Sequence, residues 1–260
     1  MMNSMNTIDK KDKKDKNNKL YLIWRSADPQ VRLRQKIGIL TKEGGSYRFT
    51  YLKDEVEEAK RKGFTYFPGF TEINKTYENN ALFANIETRL INKKRADYLD
   101  LLNRYGLDVN SDSWDILVAT KGRLPTDDFE FVVPFDSQRT EFEFDIAGTR
   151  YRDIFKEENQ EKLWELKKNE NKKLILECEP GNKYDNHAVA VFANILKSDD
   201  GKTERMHLGY VPKYYSEEVF NKLSNPHVSY SAYIKRVDLG NPNYDEKITA
   251  LVSLIFSKTE

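Results

Sequence analysis

Glu179-Pro-Gly-Asn-Lys-Tyr-Asp-Asn-His-Ala188, running straight into Val189-Ala-Val-Phe192, is the stretch on which the reading of this chain turns. Pro180, Gly181 and Asn182 have backbone preferences that favour a tight reversal. The β-branched, apolar run after them reads as a buried strand that fixes the turn. The turn thus displays Tyr184 and Asp185, a ring and a carboxylate, on a loop held by a rigid scaffold, where recognition chemistry is usually placed. It also fits a hairpin corner whose tyrosine packs and whose aspartate caps the turn.

Outward from this turn, the second half is rich in strands. Phe142–Ala147, Lys173–Cys178, Ala188–Ile195, His207–Val211, Val228–Val237 and Ile248–Phe256 all have strand character. In the last, Ile248, Ala250, Val252, Leu254 and Phe256 alternate onto one face. Glu158–Lys168 and Tyr214–Leu223 read as helices. Six short strands with two helices predict a small β-barrel with one or two covering helices.

The first half mixes both types. Leu20–Trp24 is strand-like, and Ile37–Leu40 and Tyr47–Tyr51 flank a Gly44-Gly45 hairpin signal. Tyr47, Phe49 and Tyr51 fall on one sheet face, and Phe64–Phe70 gathers aromatics over a loop. Asp54–Lys62, Asn80–Leu90, Arg95–Tyr105 and Ser113–Ala119 read as helices, the last capped by Asp112 or Ser113, before Phe129–Val133 returns to strand. Residues 1–19, polar and lysine-rich, form an expected disordered tail. The domain expectation is therefore an α+β accessory domain over 20–136 and a β-barrel over 141–257, separated by the Pro/Asp/Ser/Gln segment Pro134–Thr140.

Bulk properties narrow the chemistry. The net charge of +1 supplies no global attraction to nucleic acid, so any such site is a local patch. The single cysteine, Cys178, rules out an internal disulfide and a multi-cysteine zinc site, and its strand position fits a small core residue. The N-terminus has no apolar signal core, and Ile248–Phe256 is too short to cross a bilayer as a helix. A cytoplasmic protein without a membrane partner is expected.

No constellation for catalysis stands out. His187, His207 and His227 have unmatched flanks, no Cys/His cluster has metal-ligand spacing, and no phosphate loop or nucleophile elbow is present. The expectation is a non-enzymatic protein with no cofactor. What recurs is an aromatic residue beside a cation at a strand end: Arg150-Tyr151-Arg152, Lys183-Tyr184 and Tyr210 with Lys213. A ring stacks on a base and a nearby cation holds the adjoining phosphate, a pairing suited to single strands. The same rings also fit rim aromatics with snorkelling neighbours.

Three segments together resemble the HIRAN domain: Gly148-Thr-Arg-Tyr151, Glu179-Pro-Gly-Asn-Lys-Tyr-Asp-Asn-His-Ala-Val-Ala-Val191 and Gly209-Tyr-Val-Pro212. The resemblance covers roughly Glu141 to Ser257. The upstream half is similar to the segment preceding the domain in stand-alone bacterial HIRAN proteins, and more loosely to the strand-rich N-terminal part of HipA-type toxin kinases, without a kinase motif.

The resemblance implies an OB-like barrel that captures the 3′ end of single-stranded DNA, in a repair, processing or phage-defence setting. By motif, a terminal base would stack between Tyr151 and Tyr184. Asp185 would accept from the 3′-hydroxyl, and Arg150 and Lys213 would hold phosphates. Tyr210 would contact the backbone, and His187 stands where the family often has Asn. The accessory domain would meet a protein partner. The competing expectation is a protein-interaction or regulatory role of toxin–antitoxin or defence type without DNA binding.

Overall fold

The structure, a computed structural model, describes residues 18–26, 34–135, 141–169, 171–196, 202–241 and 244–256. These fall into two compact units divided between Pro134 and Phe135. The tail expected over 1–17 lies outside the described residues. Lys19, assigned to that tail from sequence, instead opens the first strand, where it pairs with Thr41.

In the first unit the strands are β1 (Lys19–Arg25), β2 (Arg34–Glu43), β3 (Ser46–Tyr51), β4 (Tyr77–Asn79) and β5 (Phe129–Val132). They form an antiparallel sheet in the order β4-β3-β2-β1-β5. Gly44 and Gly45 take φ of +56° and +90°, the positive values the tight β2–β3 turn requires. As the alternation predicts, Tyr47, Phe49 and Tyr51 all turn into the core. They meet Phe64, Phe67 and Phe70, with Phe49 stacked on Phe70 at 4.3 Å. The Tyr51 hydroxyl donates to Phe70 O at 2.6 Å and accepts from Phe67 N at 2.8 Å, so one phenol satisfies two of the loop's backbone groups.

Three of the four helices of this unit are shorter than their patterns predict, and the last is one residue longer. α1 spans Lys53–Lys60, α2 only Ala84–Glu87, α3 Tyr98–Arg104 and α4 Ser113–Thr120. The helix read over Asn80–Leu90 cannot begin earlier than Ala84, because Phe83 is buried in extended backbone (φ −61°, ψ 136°). Beyond it, Arg89 turns inward to a bidentate pair with Asp127 and donates to Gly122 O. The helix read from Arg95 starts three residues later, since Arg95 and Asp97 close a local turn through two ion-pair contacts. Of the two caps offered for α4, Ser113 or Asp112, the structure uses Asp112, in a capping box with Asp115.

In the second unit the strands are β6 (Glu141–Asp145), β7 (Leu174–Glu179), β8 (Ala188–Leu196), β9 (Thr203–Tyr210), β10 (Val228–Val237) and β11 (Ile248–Phe256). The helices are α5 (Gln160–Lys168) and α6 (Lys213–Leu223), with single 3-10 turns between β6 and α5. Element types here follow the sequence reading closely. Ile248, Ala250, Val252 and Leu254 share the buried face of β11; the side chain of Phe256, expected on that face, lies outside the described residues.

The strands do not close into one continuous barrel. They form two antiparallel three-stranded sheets, β10-β11-β6 and β7-β8-β9. Their edges touch at two isolated bridges, Ala147 with Tyr210 and Lys173 with Tyr233. At the second seam Tyr230 reaches across: its hydroxyl accepts from Leu176 N at 2.8 Å and donates to Leu176 O at 3.1 Å. No helix among the described residues is long and apolar enough to cross a membrane.

Candidate nucleic-acid interface

The first of the three recurring segments follows β6. Gly148 adopts φ +70°, a left-handed value that costs glycine little, and this reverses the chain into the 3-10 turn Thr149–Tyr151. Two contacts from far along the chain fix that turn. Gly148 N donates to Asp245 Oδ1 at 2.8 Å, and buried Thr149 donates through Oγ1 to Tyr244 O at 2.6 Å. With its base anchored, the turn presents Tyr151 at 63% exposure. Arg150 is also exposed, its guanidinium 5.6 Å from the centre of the Tyr244 ring.

The Glu179–Ala188 turn is held by its own polar side chains. Asn182 N donates to Glu179 O, and Tyr184 N donates to Asn182 Oδ1 at 3.0 Å. Asp185 acts as an Asx-type cap, its Oδ1 accepting from His187 N at 3.0 Å. Its second oxygen accepts from the buried Ser216 hydroxyl of α6 at 2.6 Å, tying the turn to that helix. Tyr184 projects at 65% exposure with Lys183 Nζ 4.7 Å from its ring centre. His187 turns the other way, its ring edge-on to Phe220 at 5.5 Å.

The third segment joins the other two. Tyr210 exchanges both backbone hydrogen bonds with Ala147, at 2.8 and 2.9 Å, and Val211 N donates to Val189 O. This approach needs Gly209: a Cβ there would lie 2.3 Å from Ala147 O, and its φ is +148°. The Tyr210 hydroxyl donates to Glu179 Oε2 at 3.1 Å and accepts from Asn182 Nδ2 at 3.4 Å. Burial, then the bond to Glu179, raise its pKa above the usual phenol value. Arg152 lies 5.1 Å over the Tyr210 ring and reaches back to Gly148 O. Lys213, the first residue of α6, is half-buried.

The three segments therefore converge on one residue. Tyr210 touches the first through its backbone and the second through its hydroxyl, and the exposed rings of Tyr151 and Tyr184 stand on turns tied to it. Arg152, read from sequence as a cation flanking Tyr151, is a structural tie: it also faces the ring of His207 at 3.1 Å. Glu179, Asn182, His207 and Ser216 were not singled out. The three-residue spacing of Glu179 and Asn182 within one turn was a usable signal, but nothing local marks Ser216.

All three segments fall inside a region that matches a known family. Residues 140–252 match the HIRAN domain family, and the first unit lies outside that match. Among solved structures, the HIRAN domain of human HLTF is 16% identical, with 45% of this chain and 76% of that one covered at a TM-score of 0.28. No curated protein matches the chain.

Proposed function

We propose, from the HIRAN domain at residues 140–252, that the second unit binds the end of a single DNA strand and acts by binding rather than catalysis. The observation that carries this reading is the pair of exposed rings, Tyr151 and Tyr184, on turns locked from beneath. A ring that is held by its backbone and open to solvent is prepared to stack on a base at little entropic cost. Stacking contributes about 1–3 kcal/mol per base and tolerates any sequence. Arg150, Lys183 and Lys213 stand beside these turns as partners for phosphates. With two or three nucleotides gripped, affinity on the order of micromolar and a clear salt dependence follow.

The 3′-hydroxyl is the end this site would select. Asp185 uses Oδ1 and Oδ2 for one hydrogen bond each. A carboxylate has roughly four acceptor positions, so it can take a ligand hydroxyl in addition and repels a terminal phosphate. The two edge bridges support an OB-like barrel as the frame, and a setting in which strand ends are exposed, such as repair, processing or phage defence, gives the module its use. The first unit would then serve as an accessory that meets a protein partner.

Fluorescence anisotropy with matched oligonucleotides tests this. Strands ending in a 3′-hydroxyl should bind more tightly than the same strands ending in a 3′-phosphate; equal affinities would remove the end-recognition claim. The occupied hydrogen bonds of Asp185 and Tyr210 favour a second reading, in which these residues only brace the turns and the exposed tyrosines dock a protein. Absence of binding to any single strand would select it.

A further inference from the structure

Beside Tyr151 a polar cleft of about 410 Å³ opens between the 3-10 turns leading into α5 and the strand β9. We infer that this cleft carries the strand onward, holding the nucleotides next to the terminal one; the inference rests on the single-strand reading above. Tyr151 and Arg152 line it, so it is continuous with the candidate interface.

Its charges suit a nucleotide chain better than a bare anion. Lys156 and Lys162 are the cations the cleft can turn to a phosphate, beside Arg152, held by His207 and the Tyr210 ring, and Arg205, paired with Glu177 at 2.5 Å; Asp153, Glu158 and Glu204 bring three carboxylates. Inorganic phosphate would meet all three acids. A single strand offers both partners at once, phosphates for the cations and base amino groups for the carboxylates. The more exposed pair yields readily. Lys156 binds Asp153 at 2.7 Å with the two side chains 58% and 72% exposed, and Lys162 binds Glu204 at 2.8 Å. The Lys156 pair is exposed and contributes little to stability, so exchanging its carboxylate for a phosphate costs the fold little; the Lys162 pair is half-buried, at 27% and 34% exposure. Arg205 lies 3.9 Å over the Phe192 ring, a braced guanidinium on the cleft's strand side.

The test uses the full chain and oligo-dC strands, whose bases carry the amino group, of about three and about ten nucleotides, both ending in a 3′-hydroxyl, within the site sizes of single-strand binding folds. Wild type should bind the longer strand about tenfold or more tightly. The double variant Lys156→Glu, Lys162→Glu should bind the short strand as wild type does and lose the gain from length, with a salt slope shallower by about 0.7 per phosphate contact removed. An unchanged melting temperature shows the variant folded. A wild type without a length gain, a variant that keeps it, or full competition by tripolyphosphate overturns the cleft assignment while leaving end binding intact. Failure of wild type to bind either strand overturns both.

Discussion

Arg152 and His207 meet nitrogen to nitrogen, with Nη1 of the guanidinium 3.1 Å from Nδ1 of the imidazole. A guanidinium only donates, so Nδ1 is the acceptor and the ring proton sits on Nε2, which donates to Gly209 O at 2.9 Å. Burial first, and the Arg152 charge after it, push the His207 pKa below its ordinary value, against an opposing pull from Glu179. The neutral ring is also stacked on Phe192 at 4.6 Å.

The sign of the pH dependence follows. The unfolded chain binds its proton near the ordinary value of about 6.5, whereas the folded ring binds it only at lower pH. Stability from this contact is complete above about pH 6.5 and is lost as pH falls below it. Thermal unfolding of wild type should therefore show a downward step on acidification below that point. In His207→Gln, which can accept from Arg152 and cannot titrate, this step should vanish; its persistence would assign the dependence to other groups.

Tyr151→Ala and Tyr184→Ala should each weaken single-strand binding by about 1–3 kcal/mol, roughly five- to 150-fold. Because both rings are mostly exposed, the melting temperature should change little. Anisotropy titration beside a thermal scan checks the pair of readouts. A variant that unfolds instead would identify its ring as part of the packing.

Gly209→Ala should destabilise the second unit by at least about 2 kcal/mol, because the new methyl group meets the Ala147 carbonyl oxygen at 2.3 Å and the fully buried Ile146 side chain at 2.7 Å. Urea unfolding gives the shift directly. Gly181→Ala is the control: nothing lies within 4 Å of its Cβ position, and its midpoint should hold.

Much of this fold is legible locally. The alternation in β11, the Gly44-Gly45 turn and the Asp112 cap each encode their structure within a few residues. The truncated helices are not, because their ends are set at a distance: Asp127 and Gly122 draw Arg89 out of a helical register. The candidate site divides the same way. Tyr151 and Tyr184 are visible as rings in turns, since exposure follows from the turn itself. Tyr210 reads as a rim aromatic, and its joining role depends on Glu179 and Asn182, some thirty residues away, and on a strand pairing that only Gly209 permits. The Ser216 contact to Asp185 spans a similar separation and has no local mark.

Leu176 finds both of its lateral backbone partners in a single oxygen, the Tyr230 hydroxyl. A row of strand-to-strand bonds resists opening because every rung must be broken in turn; beside the phenol latch this seam carries two backbone bonds, Asn171 N to Ile234 O at 2.8 Å and Ile234 N to Lys172 O at 2.9 Å. The line between β7 and β10 is therefore a place where this unit can part without dismantling either sheet. Amide hydrogens along it should exchange earlier than those within the β7-β8-β9 ladder, with Leu176 N–H the sensitive reporter of the latch.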